Sequence, residues 1–207
     1  MVTTNSQMTI AQAVKALQEC QDGLEILPTT TDKGRRGKHL EVMLGLENTN
    51  TLCDLADGEI KSFGASGANI AVTMLGHCLE GIVNGTEFED TPLGKKLEQV
   101  LYVPFDKEGR CLGHVVSNKE THPEHYRQIK DDYNKIAAYV HWCIVMQMPF
   151  PALKDVNKLL GLKVLILSGH AGKGKGGKYV PQKYKDLELF KYYVGFYVRK
   201  KEVMKHF

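Results

Sequence analysis

At 207 residues, with 43% hydrophobic and 25% charged side chains, the chain has the composition of a folded protein with one sizeable core; disordered and fibrous classes are excluded, and two independent domains would be cramped. No stretch approaches the roughly 18 apolar residues of a membrane span, and MVTTNSQMTIAQAV has no basic segment leading into an apolar one, so a cytoplasmic protein without a membrane partner is expected. The net charge of +3 conceals a division that suits a polyanion-binding arm on an acidic, metal-binding body: Lys163 to Phe207 carries eleven Lys/Arg against three Asp/Glu, or +8, and the rest sixteen against twenty-one, or −5.

In chain order, Ile10, Val14, Leu17 and Cys20 recur at helical spacing, predicting a packing helix over 10–21 with Thr9 as its cap. The basic segment DKGRRGK is expected to be a loop, followed by a second helix from about Gly37 to Glu47 whose Leu40, Met43, Leu44 and Leu46 form a buried face. TLCDLADGEIKSF alternates hydrophobic and polar residues around an Asp-Gly signal, which predicts a strand, a tight turn and a second strand. NIAVTML, LEQVLYVPFD and CLGHVVS continue the β pattern, so the middle third reads as a sheet. A long amphipathic helix is predicted from about Glu124 to Gln147, stopped by Pro149 and Pro151. A short helix from Ala152 to Leu160, a buried strand KVLILS, a Gly/Lys loop and an aromatic, basic tail complete the chain.

The five cysteines Cys20, Cys53, Cys78, Cys111 and Cys143 are widely spaced and never form C-x-x-C, so they are expected to be buried thiols without disulfide or zinc. His122-x2-His125 has a spacing that suits metal, but no cysteine or third histidine lies near it in sequence, and it reads as a helix start. Asp131 and Asp132 read as a solvated face. Gly169-x4-Gly174-Lys175 follows a strand as a Walker A loop would, yet Gly176 stands where a magnesium-binding hydroxyl is needed and too little chain follows for that fold.

The segment Asp54-Leu-Ala-Asp-Gly-Glu59-Ile-Lys61 carries the chemistry. On a strand Glu59 and Lys61 share a face while Ile60 turns into the core, and a hairpin brings Asp54 beside them. Carboxylates crowded together repel and call for a divalent cation, and hard oxygen donors favour magnesium. A neighbouring lysine can orient water and balance phosphate charge. The bland reading of this short pattern is a solvated hairpin, and for Glu41 a surface residue of an amphipathic helix.

KGRRGKHLEVMLG, DLADGEIKSF, LGKKLEQVLYVPF and VGFYVRKKEVMKHF, in that order and spanning most of the chain, resemble the MutH family of mismatch-repair endonucleases and related type II restriction enzymes of the PD-(D/E)xK nuclease superfamily. The resemblance implies an α/β, restriction-endonuclease-like fold, a mixed central sheet flanked by helices, with two lobes forming a DNA-binding cleft: a catalytic lobe over 1–118 and a basic recognition lobe over 119–207. It makes Glu41 the helix carboxylate, Asp54 and Glu59 the principal Mg2+ ligands, Lys61 the catalytic lysine and Lys96 the second lysine. Lys33 and Gly34, with Arg35 beside them, fall in a phosphate-facing loop, and Tyr197 matches the C-terminal aromatic. The Asp54–Glu59 interval is shorter than in the mismatch-repair members, and KVLILSGHAGKGKGGK replaces their Arg-Pro reading loop, so no recognition sequence carries over.

Independently of family, Lys173, Lys175 and Lys178 among glycines suit a loop entering a DNA groove, and Tyr197, Arg199 and Lys200 suit a nucleic-acid backbone. The expected activity is hydrolysis of duplex DNA to 5′-phosphate and 3′-hydroxyl ends. A nicking enzyme would work with a MutL-type activator, a restriction enzyme with a cognate methyltransferase. The alternative is a non-catalytic double-stranded DNA-binding protein.

Overall fold

The computed structural model describes residues 7–19, 33–46, 52–64, 68–148, 150–169 and 194–207, without the side chains of 33–36. Helix α1, Ile10–Glu19, starts at a reciprocal cap in which Gln12 N–H donates to Thr9 Oγ1 at 3.3 Å and Thr9 N–H donates to Gln12 Oε1 at 2.8 Å. Helix α2, Lys33–Met43, takes up the basic segment expected to be a loop. A Cβ on Gly37 would meet Ser62 Oγ at 3.4 Å, an ordinary contact, so α2 lies beside Ser62 here without requiring glycine. Leu40 and Leu44 are buried, whereas Met43 is exposed.

Strands β1 (Glu59–Gly64), β3 (Gln99–Phe105) and β4 (Val115–Asn118) form one sheet in the order β1-β3-β4, with β1 and β3 parallel and β4 antiparallel to β3. Strands β2 (Ile70–Met74), β5 (Leu165–Gly169) and β6 (Val194–Val198) form an antiparallel sheet in the order β2-β6-β5. The chain is thus α/β, but among the described residues its strands divide between two small sheets where one central sheet was predicted. Pairing of β2 with β6 is the reason. It draws the strand expected to extend the sheet of β1 across to residues 194–198. The parallel β1–β3 pair needs a long crossover, which is supplied by β2, helix α3 (Leu75–Asn84) and helix α4 (Pro92–Leu97), both helices absent from the sequence expectation.

Strand β3 is buried along its length after Gln99 and separates two cores. Leu101, Val103 and Phe105 face Ile10, Leu17, Leu40, Leu44 and Ile60 on one side. Val100 and Tyr102 face the larger core, built with helix α5 (Pro123–Val145) and the second sheet. A strand covered on both faces reads as a continuous hydrophobic run, as VLYVPF does.

Asp132 of α5 corrects the expected solvated face, since it is 0% exposed while Asp131 is exposed. Its Oδ2 accepts N–H bonds from Lys163, Val164 and Leu165 at 3.0, 2.7 and 3.0 Å, which fixes the start of β5. Helix α6, Leu153–Leu159, is tied to the same strand by Asn157, whose side chain donates to Leu167 O and accepts from Leu167 N–H. Cys78 and Cys143 are buried and Cys53 and Cys111 half-buried, none in a disulfide; Cys20 lies outside the described residues. Among the described residues no helix is long and apolar enough to cross a membrane.

Candidate active site

Strand β1 lies at the edge of its sheet, and the segment before it is shaped from several directions. A tight turn closes between Leu55 and Gly58, but the strand expected before it does not form, leaving Leu52 to Asp54 as a bend. Tertiary bonds hold this bend in place of a ladder. Gln7 Nε2 donates to Cys53 O at 2.9 Å, Ala56 N–H donates to Met8 O at 2.9 Å, and Asp57 Oδ1 accepts the Ile10 N–H at 2.7 Å at the start of α1. Asp54 then reaches the strand by donating its N–H to Glu59 Oε2 at 3.3 Å.

Glu59 is the centre of the cluster and is only 1% exposed. Its Oε1 accepts from Lys61 Nζ at 2.5 Å and from Lys96 Nζ at 2.8 Å. Lys61 Nζ also stands 3.9 Å from Asp54 Oδ2. Lys61 shares the Glu59 face by the two-residue period of β1, whereas Ile60 points into the smaller core, as the sequence predicts. Lys96 arrives on α4, a short helix made possible by Thr91 and Pro92: Thr91 Oγ1 accepts the Gly94 N–H at 3.0 Å, and proline occupies the first helical turn.

Glu41 belongs to α2 and is half-buried beside the edge of β1, with its Oε1 over Gly37. Burial pushes its carboxyl above the ordinary range, Asp54 and Glu59 push it further, and Lys61 and Lys38 draw it back. Asp54 is raised for the same first reason, burial, opposed by Lys61 and reinforced by Glu59. Five of the residues singled out from sequence, Glu41, Asp54, Glu59, Lys61 and Lys96, therefore share one electrostatic neighbourhood at a sheet edge. Glu41, Asp54 and Glu59 thus face Lys61 and Lys96, with Lys38 acting on Glu41 from its own helix. Among the described residues, no group of three or more His, Cys, Asp and Glu side chains is arranged to hold a metal ion.

Two neighbours of the cluster were not anticipated. Burial and the charge of Lys96 lower the pKa of His77, in the first turn of α3. Cys53 is raised by burial and by Glu59. Neither belongs to a short motif with the acidic residues, and His77 sits on a helix whose sequence, LGHCLEGIVN, has no polar capping residue to announce it.

The residues expected to touch DNA divide differently. Lys33, Gly34 and Arg35 are in the first turns of α2, which corrects the loop expected there. Lys173, Lys175 and Lys178 lie outside the described residues. Tyr197, Arg199 and Lys200 do not belong to a projecting arm, because β6 is the middle strand of its sheet. Tyr197 packs half-buried against the larger core. Arg199 donates through Nη2 to Leu162 O at 3.2 Å and through its backbone to Val164 O at 2.8 Å, so it anchors β6 to the start of β5. Lys200 opens helix α7, Lys200–Val203, with its N–H on Asn69 Oδ1 at 3.3 Å.

No protein-family model and no curated protein sequence matches this chain.

Proposed function

We propose that the protein is a magnesium-dependent endonuclease that hydrolyses phosphodiester bonds of duplex DNA, with a restriction-endonuclease-like catalytic arrangement centred on β1. The observation that carries this reading is the buried Glu59 carboxylate held jointly by Lys61 and Lys96 beside Asp54, with Glu41 at its flank. A structural ion pair needs one lysine, and the additional carboxylates raise the repulsion without adding to packing.

The residues fit a partly hydrated Mg2+. Their donors are hard oxygens, and burial, reinforced by neighbouring carboxylates, raises the Asp54 and Glu41 carboxyls. Asp54 and Glu59 would hold the ion, with Glu41 as a further ligand. When bound, the ion would polarise the scissile phosphate and acidify a coordinated water. Lys61 would orient the attacking water and balance the charge gathering on phosphate oxygens; Lys96 would hold Glu59 correctly turned. In-line attack that expels the 3′ oxygen leaves 5′-phosphate and 3′-hydroxyl ends. Nicking with a MutL-type activator and double-strand cleavage beside a methyltransferase both use this chemistry.

Supercoiled plasmid incubated with the protein and Mg2+ tests the proposal. Cleavage by the wild type should fall by a factor of roughly 10²–10⁴ in Asp54→Ala and in Lys61→Ala. Cleavage that persists in either variant overturns the assignment. Salt-dependent binding without Mg2+-dependent cleavage would favour a non-catalytic DNA-binding protein, the reading suggested by the basic balance of residues 163–207.

A further inference from the structure

We propose that His122, His125 and His206 form a pH-sensitive latch, which holds residues 200–207 against the start of α5 at neutral pH and releases them in mild acid. His122 and His125 stand at the start of α5, and His206 comes to them on the 3-10 turn Met204–His206 that follows α7. The His206 ring centroid is 4.1 Å from that of His122 and 4.8 Å from that of His125, the second contact edge-on at 89°. His122 is held from its own side of the contact: its N–H donates to Asn118 O at 3.0 Å, and its Nδ1 lies 3.0 Å from Thr121 Oγ1. His125 belongs to a helix of 23 residues. The part that can yield is therefore 200–207, where α7 is four residues long and grips the larger core through Val203 and Met204. Phe207 extends the seat, since a Cβ on Gly113 would stand 3.9 Å from its Cδ1.

The contact suits uncharged rings only. His125 is 8% exposed, and its Nε2 and the Nε2 of His206 are both buried without a hydrogen-bond partner among the described residues. Protonation makes both nitrogens of an imidazole donors, so each ring would gain a buried charge and keep a buried N–H with no acceptor. Charges on adjoining rings would also repel. The groups acting on the pair come from every element around it: His122 from α5, Glu202 from α7 and Lys205 from the 3-10 turn. Glu202 favours the charged rings, but it is engaged by Lys205 and, at 3.7 Å, by Lys201. Glu124 and Arg127 in the first turns of α5 are exposed and pair with each other. Burial, His206 and His122 hold the His125 pKa down to about 4, and burial and His122 lower that of His206. Once the segment leaves, both rings meet water and return toward the ordinary 6.5, so the released state binds protons that the docked state refuses. Docking is at full strength above that value and weakens by up to about tenfold per histidine for each pH unit below it, down to the docked pKa.

Amide hydrogen exchange of the full chain, expressed as protection factors at pH 7 and pH 5, tests the latch. Protection over 200–207 should fall by about 10–30-fold at pH 5 while that of β3 holds. His125→Phe and His206→Phe keep an aromatic ring in place without a titrating nitrogen; each should shrink the fall, and the double variant should abolish it. Equal protection of 200–207 at both pH values, a parallel loss in β3, or an undiminished fall in the double variant each overturns the latch. On the wild type alone, the ring resonances of His125 and His206 must titrate in step with the amide signals of 200–207. Rings that titrate near 6.5 while the segment stays docked overturn it without any variant.

Discussion

Lys96 Nζ lies 2.8 Å from Glu59 Oε1 although the two residues are 37 positions apart, so the cluster depends on how α4 is seated on β2 and β3. Thr91 caps that helix, and Gly94 lets it turn close to the preceding segment: a Cβ on Gly94 would stand 1.9 Å from Phe88 O.

Lys96→Ala should lower plasmid cleavage by about 100-fold while the protein remains folded, because Lys61 still pairs with Glu59. Lys96→Arg should recover only part of the loss, since a planar guanidinium does not reproduce a compact ammonium. Initial cleavage rates alongside circular dichroism check this, and a rate unchanged in Lys96→Ala would remove Lys96 from the machinery.

Asp54→Asn should stabilise the metal-free protein at neutral pH. The folded Asp54 carboxyl is raised above its ordinary 3.8, chiefly by burial, so it favours folding when protonated; that contribution is complete below the ordinary value and is lost as pH rises through the raised one. The side chain is 34% exposed, which discounts the effect to a Tm gain of roughly 1–3 °C with chelator at pH 7, shrinking toward pH 4. Mg2+ should raise Tm in the wild type more than in the variant. A variant that melts lower than the wild type at pH 7 would contradict this account.

Asp132→Ala should be severely destabilising. It removes the acceptor of three backbone N–H groups and lets water no closer to them, at a cost of about 3–5 kcal/mol, or on the order of 10 °C in Tm. Thermal unfolding measures it, and a drop under a few degrees would show that β5 does not depend on this carboxylate.

Gly58→Ala should damage the candidate active site through the backbone. The new Cβ would lie 2.4 Å from Gln99 O and 2.6 Å from Ile10 Cδ1, so β1 must shift against β3 and carry Asp54 and Glu59 with it. A loss of about 1–3 kcal/mol is expected, together with a fall in cleavage larger than that of a distant variant of equal stability. Paired melting and cleavage measurements separate the two effects.

Local pattern was legible where one period dominates. The spacing of Ile10 and Leu17, the run VLYVPF and the stripe Ile129, Tyr133, Ile136 and Val140 announced α1, β3 and α5 because each buries a regular face. The glycines of DKGRRGK read as a loop, yet α2 runs through them. Sequence pattern grouped Glu59 with Lys61, but the seat of Lys96 on a capped helix, the burial of Asp132 and the place of β6 between β2 and β5 arise from contacts between distant segments. No window of sequence contains both partners of such contacts. The same holds for His206, which meets His122 and His125 only in the folded chain.

The central position of β6 also bears on synthesis. A nascent chain that has not yet produced residues 194–198 leaves β2 and β5 without the neighbour that pairs with both. The second sheet therefore closes only after β6 is made, whereas β1, β3 and β4, with Glu59, lie on the earlier part of the chain.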